Sequence, residues 1–184
     1  MTHTNLWAPW RMAYINSLEG EADAAGLPDP STHACFLCEA IQTLKQNLGH
    51  ADEHARERLV LLHDPRGLII LNRYPYTNGH LLIAPNDHLG NLTDLSPTQR
   101  CDLMELTELA ERLLRTAVNP QGINIGINLG RCAGAGLPGH LHVHLVPRWN
   151  GDTNFMQTVG RVRVIPQAIE ESYAHLRAIL EQLA

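Results

Sequence analysis

The chain has 184 residues, of which 44% are hydrophobic and 18% are charged, and its formal net charge at pH 7 is −5. This composition is typical of a globular protein with one buried core, and it excludes a broad basic surface for nucleic acid. No stretch approaches the roughly 20 consecutive apolar residues that a membrane-spanning helix needs. The four cysteines are too few for a disulfide scaffold and the first residues lack a signal-peptide pattern, so we expect a cytoplasmic protein.

The predicted elements describe an irregular segment followed by one folded unit. Residues 1–34 are interrupted by glycine and proline, so we predict an irregular N-terminal extension whose aromatic-rich part, 6–15, packs on the domain or on a partner subunit. A short helix is expected over 35–48, and the polar stretch 49–57 carries no predicted element. Short apolar runs bounded by turn residues predict strands over 59–62, 67–72, 80–84 and 122–128.

A long helix is predicted between the third and fourth of these strands. Residues 96–99, Ser-Pro-Thr-Gln, form a capping box with proline in the first turn, and the Asn-Pro pair at 119–120 ends the helix. A second amphipathic helix is predicted over 166–183. Together these elements indicate an α+β fold with an antiparallel sheet of about five strands, formed by a single domain over 35–184.

Three histidines alternate with apolar residues near the end of the chain, in the run His140-Leu-His-Val-His-Leu-Val146. In a β-strand, residues two apart share a face, so His140, His142 and His144 are expected on one face and the apolar residues on the other. Three imidazoles side by side bring no packing advantage. The pattern therefore indicates either a metal site or a histidine nucleophile with two helping histidines.

A glycine-rich loop, 130–139, leads into this histidine strand. It follows the strand over 122–128, whose alternation places Ile123, Ile125 and Ile127 on the core face. Glycines let a backbone approach a ligand closely and expose N–H groups, as a phosphate chain requires. A loop of this kind directly before three histidines favours a nucleophile that attacks a phosphate ester and forms a nucleotidyl-histidine.

The histidine run resembles the signature of the histidine triad (HIT) family, His-φ-His-φ-His-φ-φ, where φ is apolar. The resemblance extends to segments similar to the family's nucleoside-binding hairpin, 72–80, and its phosphate-contacting strand end, 128–130. Further blocks are similar to bacterial diadenosine tetraphosphate phosphorylases of this superfamily: 7–14, 122–130, 146–155 and 164–167. The resemblance implies a HIT-like fold and a homodimer, for which the aromatic N-terminal segment is a plausible contact.

The resemblance also assigns roles to individual residues. His142 is expected to attack the α-phosphate, His144 to contact phosphate oxygens or the leaving group, and His140 to orient the site or bind metal. The residues expected at the nucleotide are Asn72 at the ribose, His80 near the site, Asn128, Gly134, Ala135 and Gly136 at the phosphates, and Arg148 and Trp149 past the triad. A structural role for His80, a surface ion pair for Arg148 and a dimer contact for Trp149 are equally open alternatives.

A metal site is predicted from Cys35-Phe-Leu-Cys38, whose two-residue spacing is common in zinc sites and also occurs in redox motifs. No thioredoxin-like strand precedes this pair, and His88 is a candidate third ligand. The resemblance to some bacterial HIT proteins adds His140. It implies a closed, structural Zn²⁺ site formed by Cys35, Cys38, His88 and His140.

The leading functional hypothesis is a nucleotidyl transferase or phosphorylase that cleaves a dinucleoside polyphosphate and passes the nucleotide to inorganic phosphate. The alternative is a HIT hydrolase of dinucleoside polyphosphates or nucleoside phosphoramidates. Many family hydrolases carry a Gln-Ser or similar polar pair before the triad, whereas this chain has Ala-Gly-Leu-Pro at 135–138, which favours an acceptor other than water. Two other classes remain open: a metalloenzyme with three histidine ligands on one strand, and a non-catalytic nucleotide-binding protein.

Overall fold

The computed structural model describes residues 35–153, 159 and 165–183. Its helices are α1 (Phe36–Gln46), α2 (Ala51–Arg58), α3 (Pro97–Val118) and α4 (Ile169–Leu183). Its strands are β1 (Val60–Asp64), β2 (Gly67–Leu71), β3 (Leu81–Ala84), β4 (Gly122–Ile127) and β5 (Val143–Arg148). The predicted N-terminal extension lies outside the described residues.

The five strands form one antiparallel sheet in the order β1-β2-β3-β5-β4, so the predicted α+β class and sheet are confirmed. Helix α3 packs on β2, β3 and β5 and also contacts α4. The core lies between this helix and the sheet, and leucines of α3 such as Leu106 and Leu113 are fully buried there. Within the described part of the chain, no helix is long and apolar enough to cross a membrane.

The start of α3 follows the predicted capping box. The Ser96 hydroxyl accepts from the Gln99 backbone N–H at 3.2 Å, and the Gln99 side-chain oxygen accepts from the Ser96 N–H at 2.8 Å. The helix ends at Asn119, which adopts the left-handed conformation with φ +42°. Helix α1 also lies within its predicted range, and it begins at the first cysteine, because the Cys35 sulfur caps the Cys38 N–H at 3.4 Å.

Three predictions about the elements need correction. Helix α2 was not predicted because it is strongly polar and buries only Ala55, so it has almost no apolar periodicity. Helix α4 begins at Ile169, three residues after the predicted start at 166. Ile125 is 49% exposed rather than part of the core, because β4 is an edge strand, whereas Ile123 and Ile127 do pack partly against the core.

Candidate active site

One row of paired residues crosses the sheet and defines the face that carries the site. Ile70 of β2 pairs with Leu82 of β3, Leu82 pairs with His144 of β5, and His144 pairs with Gly126 of β4. Directly opposed residues in antiparallel strands share a face. His144 therefore lies in the middle of the sheet, on the face opposite to the buried core residue Leu145.

The three histidines do not lie in one row on a strand, which corrects the sequence-based prediction. Strand β5 begins only at Val143, because the backbone N–H of Leu141 donates to the carbonyl of Leu89 at 2.7 Å instead of joining the sheet. The His140 ring is directed at the cysteines, with Nδ1 3.2 Å from the sulfur of Cys35. Only His142 and His144 have adjacent rings, with centroids 4.9 Å apart and planes at 61°.

The tautomer of His142 is fixed by a backbone carbonyl. Its Nδ1 lies 2.8 Å from the carbonyl oxygen of His140. A carbonyl only accepts hydrogen bonds, so Nδ1 carries the proton and Nε2 of the neutral ring carries a lone pair. His142 is 7% exposed, and desolvation by burial lowers its pKa, which favours this neutral form. The arrangement leaves Nε2 as a potential nucleophile.

The tautomer of His144 is fixed through a second ring, His80, which is fully buried. The backbone N–H of Tyr76 donates to His80 Nδ1 at 3.1 Å and Asn72 Nδ2 donates to it at 3.2 Å, so that nitrogen is an acceptor and the proton of the neutral ring is on Nε2. His80 Nε2 lies 3.0 Å from His144 Nδ1 and donates to it. His144 must then carry its own proton on Nε2. We name this chain from Tyr76 through His80 to His144 the imidazole relay.

The imidazole relay leaves His144 Nε2 as a hydrogen-bond donor close to the ring of His142. His144 Nε2 is buried and is the one buried side-chain nitrogen or oxygen of the described residues without a hydrogen-bond partner. Burial, and then the nearby His142, lower the pKa of His144 to about 4, so the ring is neutral at pH 7. A lone pair on one imidazole beside an unpartnered N–H on the next suits attack on phosphorus, with donation to an oxygen of the phosphate.

Two cavities border the cross-sheet row that contains His144. The larger, of about 410 Å³, is lined by His144 and Gly126 together with Asn128 and Arg148. A groove of about 230 Å³ is lined by Ile70 of the same cross-sheet row. Its other walls are mainly apolar and aromatic and include two arginines: Phe36, Arg58, Leu59, Leu71, Asn72, Arg73 and Tyr74. We name these the relay cavity and the aromatic groove.

Three of the eight residues predicted at the nucleotide line these two cavities: Asn72, Asn128 and Arg148. Asn72 lines the aromatic groove, but its side chain is already bonded, since Nδ2 lies 3.2 Å from His80 Nδ1 and Oδ1 accepts from the Tyr74 N–H. Asn128 lines the relay cavity, and its Nδ2 lies 3.5 Å from the carbonyl of Gly134. The glycine-rich loop is therefore held beside that cavity.

The two residues predicted past the triad take different positions. Arg148 lines the relay cavity and pairs with Asp152 through Nε and Nη2, while Nη1 donates to the side-chain oxygen of Asn124 at 3.0 Å. The Arg148 guanidinium also holds the pKa of the Asp152 carboxyl well below its usual range. Trp149 does not line the relay cavity and faces an adjoining open depression beside Gln121.

Sequence reasoning missed Tyr76, Asn124 and Asp152 as residues of this site. The Tyr76 ring lies nearly parallel to His144, at 6.1 Å between centroids, and 4.7 Å from His80. Tyr76 lies within the 72–80 segment noted in the sequence, four residues before His80. No pattern in the sequence indicates that its backbone N–H helps to set the tautomer of His80. Asn124 could have been found, because it alternates with Gly126 on the face of β4 opposite to the isoleucines.

A second cluster lies at the other end of the histidine run. Cys35, Cys38, His88 and His140 each present a sulfur or nitrogen atom, and these four atoms lie within 4.8 Å of one another. His140 Nε2 lies 3.0 Å from the carbonyl of Pro85, so Nδ1, which faces the sulfurs, is left with the lone pair. Cys38 Sγ lies 3.2 Å from His88 Nδ1 and 3.4 Å from His140 Nδ1. The set has the composition and compactness of a tetrahedral Cys₂His₂ metal site.

Glycine makes possible the close approach of the two loops that carry His88 and His140. A Cβ atom on Gly139 would lie 3.1 Å from Nε2 of His88, and a Cβ on Gly90 would lie 2.8 Å from the carbonyl oxygen of Pro138. A larger residue at either position would push apart the segments that carry His88 and His140. The two glycines thus allow His88 and His140, which are 52 positions apart in the chain, to come into one cluster.

A family model and relatives of known name agree with this geometry. The model of the HIT domain matches residues 53–151, just over half of the chain. The protein belongs to the HIT family. An AP-4-A phosphorylase from Mycobacterium tuberculosis is 37% identical over 167 residues, covering 91% of this chain and 79% of that protein. An asymmetrical bis(5'-nucleosyl)-tetraphosphatase from Schizosaccharomyces pombe is 33% identical over 82 residues, or 45% of this chain and 44% of that one.

The fold of this HIT protein also matches solved structures. A Zn-bound histidine triad family protein from Mycobacterium smegmatis superposes with a TM-score of 0.57 at 35% identity, covering 68% of this chain and 85% of the other. A histidine triad nucleotide-binding protein from Sulfolobus tokodaii has the same TM-score at 28% identity, with 68% and 85% coverage. The family assignment and the fold therefore rest on both sequence and structure.

Proposed function

We propose that this HIT protein is a nucleotidyl transferase that cleaves dinucleoside polyphosphates and passes the nucleotide to inorganic phosphate. The observation that carries the proposal is the fixed pair of tautomers, a lone pair on His142 Nε2 beside an unpartnered N–H on His144. The similarity to an AP-4-A phosphorylase over 91% of the chain supports this substrate class. Diadenosine tetraphosphate is the substrate to test first.

The reaction would proceed in two displacements at the same phosphorus atom. His142 Nε2 attacks the α-phosphorus, the N–P bond forms, and the bond between this phosphorus and the bridging oxygen breaks, releasing ATP from diadenosine tetraphosphate. The His144 N–H donates to a phosphate oxygen and stabilises the charge that develops there. An oxygen of inorganic phosphate then attacks the adenylyl-histidine, the N–P bond breaks, and ADP leaves with His142 restored.

The two cavities provide places for the two ends of the substrate. The retained nucleoside would occupy the aromatic groove, with its base against Phe36 and Tyr74 and its ribose at Asn72. The leaving polyphosphate, and afterwards inorganic phosphate, would occupy the relay cavity at Asn128, with Arg148 at its far side. Ile70 and His144 are two strands apart, about 10 Å, a separation suited to a nucleoside with its α-phosphate.

Phosphate rather than water is the proposed acceptor because of the loop before the triad. At 135–138 the chain has Ala-Gly-Leu-Pro, and Ala135 is buried, so this segment supplies no hydroxyl or amide side chain to orient a water molecule. The cavity beside His144 is large enough to hold a phosphate ion. The competing hydrolase hypothesis, with water as acceptor, predicts different products and is separated from the proposal by the same assay.

The metalloenzyme alternative loses support in this geometry. His140 turns toward the cysteines, whereas His142 and His144 face each other, so the three imidazoles do not converge on one point. We propose instead that Cys35, Cys38, His88 and His140 hold a structural Zn²⁺ ion. Four protein ligands leave no open position for water, and the ion would supply a fixed link between α1 and the segment before His142.

We also propose that the protein works as a homodimer. Strand β4 lies at the edge of the sheet and exposes Ile125, and a second copy would cover this surface. The aromatic segment at 6–15, which was the predicted contact, lies outside the described residues. A cytoplasmic location stays a prediction.

The test is turnover of diadenosine tetraphosphate with and without inorganic phosphate, with nucleotides separated by chromatography. The proposal predicts ADP and ATP in equal amounts, formed only when phosphate is present. AMP and ATP formed independently of phosphate would establish the hydrolase instead. Absence of turnover in both conditions would contradict an enzymatic role on this substrate.

A further inference from the structure

A segment beyond the part of the chain that matches the HIT model contacts the loop that organises the relay. The match ends at residue 151, whereas Gln167 and Ser172 lie just before and within the first turn of α4. Both are hydrogen-bonded to Asn78, 94 positions before Ser172, in the loop between β2 and β3. Gln167, the last residue of the stretch 164–167 that is similar to phosphorylases in sequence, thus contacts this loop.

These three side chains form a closed polar cluster. The Asn78 Nδ2 donates to Gln167 Oε1 at 3.0 Å. The Ser172 hydroxyl lies 2.9 Å from both Asn78 Oδ1 and Gln167 Oε1, and with one proton it donates to one of them at a time. Ser172 is buried, at 4% exposure, so loss of its hydroxyl would leave polar atoms without a partner away from water. We name Asn78, Gln167 and Ser172 the loop anchor.

The loop anchor holds the backbone that sets the imidazole relay. Asn78 is two residues after Tyr76, whose N–H donates to His80 Nδ1, and two residues before His80 itself. Gly79 between them has φ +77°, and the His80 N–H closes the turn on the carbonyl of Thr77. On its other side the loop is tied to β5, because the Thr77 hydroxyl donates to the carbonyl of Pro147 at 2.8 Å. Asn78 therefore joins this turn to the C-terminal segment through its hydrogen bonds with Gln167 and Ser172.

We propose that the loop anchor positions the Tyr76 N–H against His80 and thereby keeps His80 and His144 in their reactive tautomers. Asn78, Gln167 and Ser172 are positioning residues, since none of them lines the relay cavity. The role in catalysis rests on the proposed function, whereas the effect on the tautomers does not. When the anchor is weakened, the Tyr76 N–H moves away from His80 Nδ1 and Asn72 Nδ2 is left as the donor to that nitrogen, so the Nδ1–H tautomer of His80 gains population.

Two substitutions weaken the anchor and one preserves it. Ser172→Ala removes the hydroxyl and leaves the bond from Asn78 Nδ2 to Gln167 Oε1, whereas Gln167→Met removes the acceptor of that bond while keeping the length of the side chain. Gln167→Glu keeps an oxygen where Oε1 accepts both hydrogen bonds, so it should behave like the unmodified protein. Thr107→Val is the matched control, because it removes another buried hydroxyl, bonded only to the Leu103 carbonyl within α3.

The direct readout is the tautomer of each ring, from the ¹⁵N chemical shifts of the imidazole nitrogens at pH 7. We expect the unmodified protein, Gln167→Glu and Thr107→Val to give single Nε2–H tautomers for His80 and His144. Ser172→Ala and Gln167→Met should give averaged shifts at His80, with kcat for the dinucleotide about tenfold lower and KM nearly unchanged.

Unchanged ¹⁵N shifts in both Ser172→Ala and Gln167→Met, with the fold intact by circular dichroism, would overturn the proposal. So would equal changes in Thr107→Val, because they would reflect a general loss of stability. A failure of the proposed function is distinguishable from these outcomes. In that case diadenosine tetraphosphate would not turn over in any of the proteins, yet the shifts would still report whether the anchor holds the relay.

Discussion

The two ends of the segment 140–144 carry the same side chain and differ in what its nitrogens contact. At His140 both ring nitrogens are occupied, one by the sulfurs of the cysteine pair and the other by the Pro85 carbonyl. At His142 and His144 one nitrogen of each ring is fixed by a partner, and the other is left for a ligand. We call His140, whose ring nitrogens are both occupied, the closed end of this segment. We call His142 and His144, each with one nitrogen available to a ligand, the open end.

This difference shows how one repeated residue supports two kinds of chemistry. The partners of His140 come from α1 and from the loop at 85–88, and they leave no position for a substrate. The partners of His142 and His144 are a backbone carbonyl and a buried ring, which define the tautomers without covering the reactive nitrogens. The closed end should therefore control stability, and the open end should control turnover.

The largest effect is expected from removing the nucleophile at the open end. His142→Asn has no imidazole nitrogen to attack phosphorus, so turnover of diadenosine tetraphosphate should fall by about 10⁴-fold or more. Thermal unfolding should change little. The matched control is His175→Asn on the exposed side of α4, which should keep full activity. Activity of His142→Asn above a few per cent would exclude a covalent intermediate on this residue.

The relay should have the next largest effect on turnover. His80→Phe keeps an aromatic ring in a fully buried position but cannot donate to His144, so the proton on His144 is no longer fixed to Nε2. We expect kcat to fall by about 10²-fold, with a smaller change in KM. His63→Phe serves as control, since His63 is half-buried on β1 and bonds only Asn86. Equal activities in the two variants would show that the relay is not used.

The closed end should respond in the opposite way. Cys35→Ala removes one metal ligand, so zinc content by elemental analysis should fall and the midpoint of thermal unfolding should drop by about 10 °C. Cys101→Ala, at an exposed position on α3, should change neither quantity. The loss of kcat at 25 °C should be smaller than in His80→Phe. Equal zinc content in Cys35→Ala and the unmodified protein would contradict the assignment of the site.

The free energy of unfolding should depend on pH through His144 at the open end, because burial and His142 lower the pKa of His144 to about 4. The unfolded chain takes up a proton at this residue near pH 6.5, so between pH 6.5 and 4 the unfolded state binds more protons. This contribution to the free energy of unfolding is present above pH 6.5 and is lost as pH falls towards 4. The other rings near His144 are those of His142, His80 and Tyr76, and they are present both in the unmodified protein and in a variant at position 144.

Denaturant unfolding of the unmodified protein and His144→Gln between pH 4 and 7 measures this contribution. The variant lacks the titrating ring, so its stability should fall less steeply with decreasing pH. Parallel curves for the two proteins would contradict the lowered pKa.

The smallest effect is expected at Arg148, on the rim of the open end. Its ion pair with Asp152 is exposed to solvent screening, so Arg148→Ala should change the midpoint of thermal unfolding very little. If the guanidinium also meets the incoming phosphate, the KM for inorganic phosphate should rise by about threefold to tenfold. An unchanged KM for phosphate would mean that Arg148 does not contact phosphate and forms only a surface ion pair, which is the alternative stated in the sequence analysis.

The sequence predicted the elements whose signals are local. The capping box at 96–99 and the apolar periodicity of the following helix are complete within the chain segment that forms them, and the structure agrees. The polar helix α2 has no such periodicity and was missed. The four candidate metal ligands were predicted from spacing and resemblance, and the structure brings all four together.

The geometry of the histidines could not be predicted because it depends on distant partners. Alternation alone places all three rings on one face, but the Leu141 N–H bonds to Leu89 and delays the start of β5. The tautomers depend on a backbone N–H in the β2–β3 loop and on a carbonyl two residues before His142. The loop anchor joins residues 94 positions apart, so no short motif reveals it.

The most direct test of the account is to locate the covalent intermediate. The protein is mixed with diadenosine tetraphosphate without inorganic phosphate, quenched rapidly in alkali, digested and mapped by mass spectrometry. We predict an adenylyl group on His142 alone, which disappears as ADP when phosphate is added before the quench. An adduct on His140 or His144, or no adduct while the substrate is still consumed, would contradict the division of the segment into a closed and an open end.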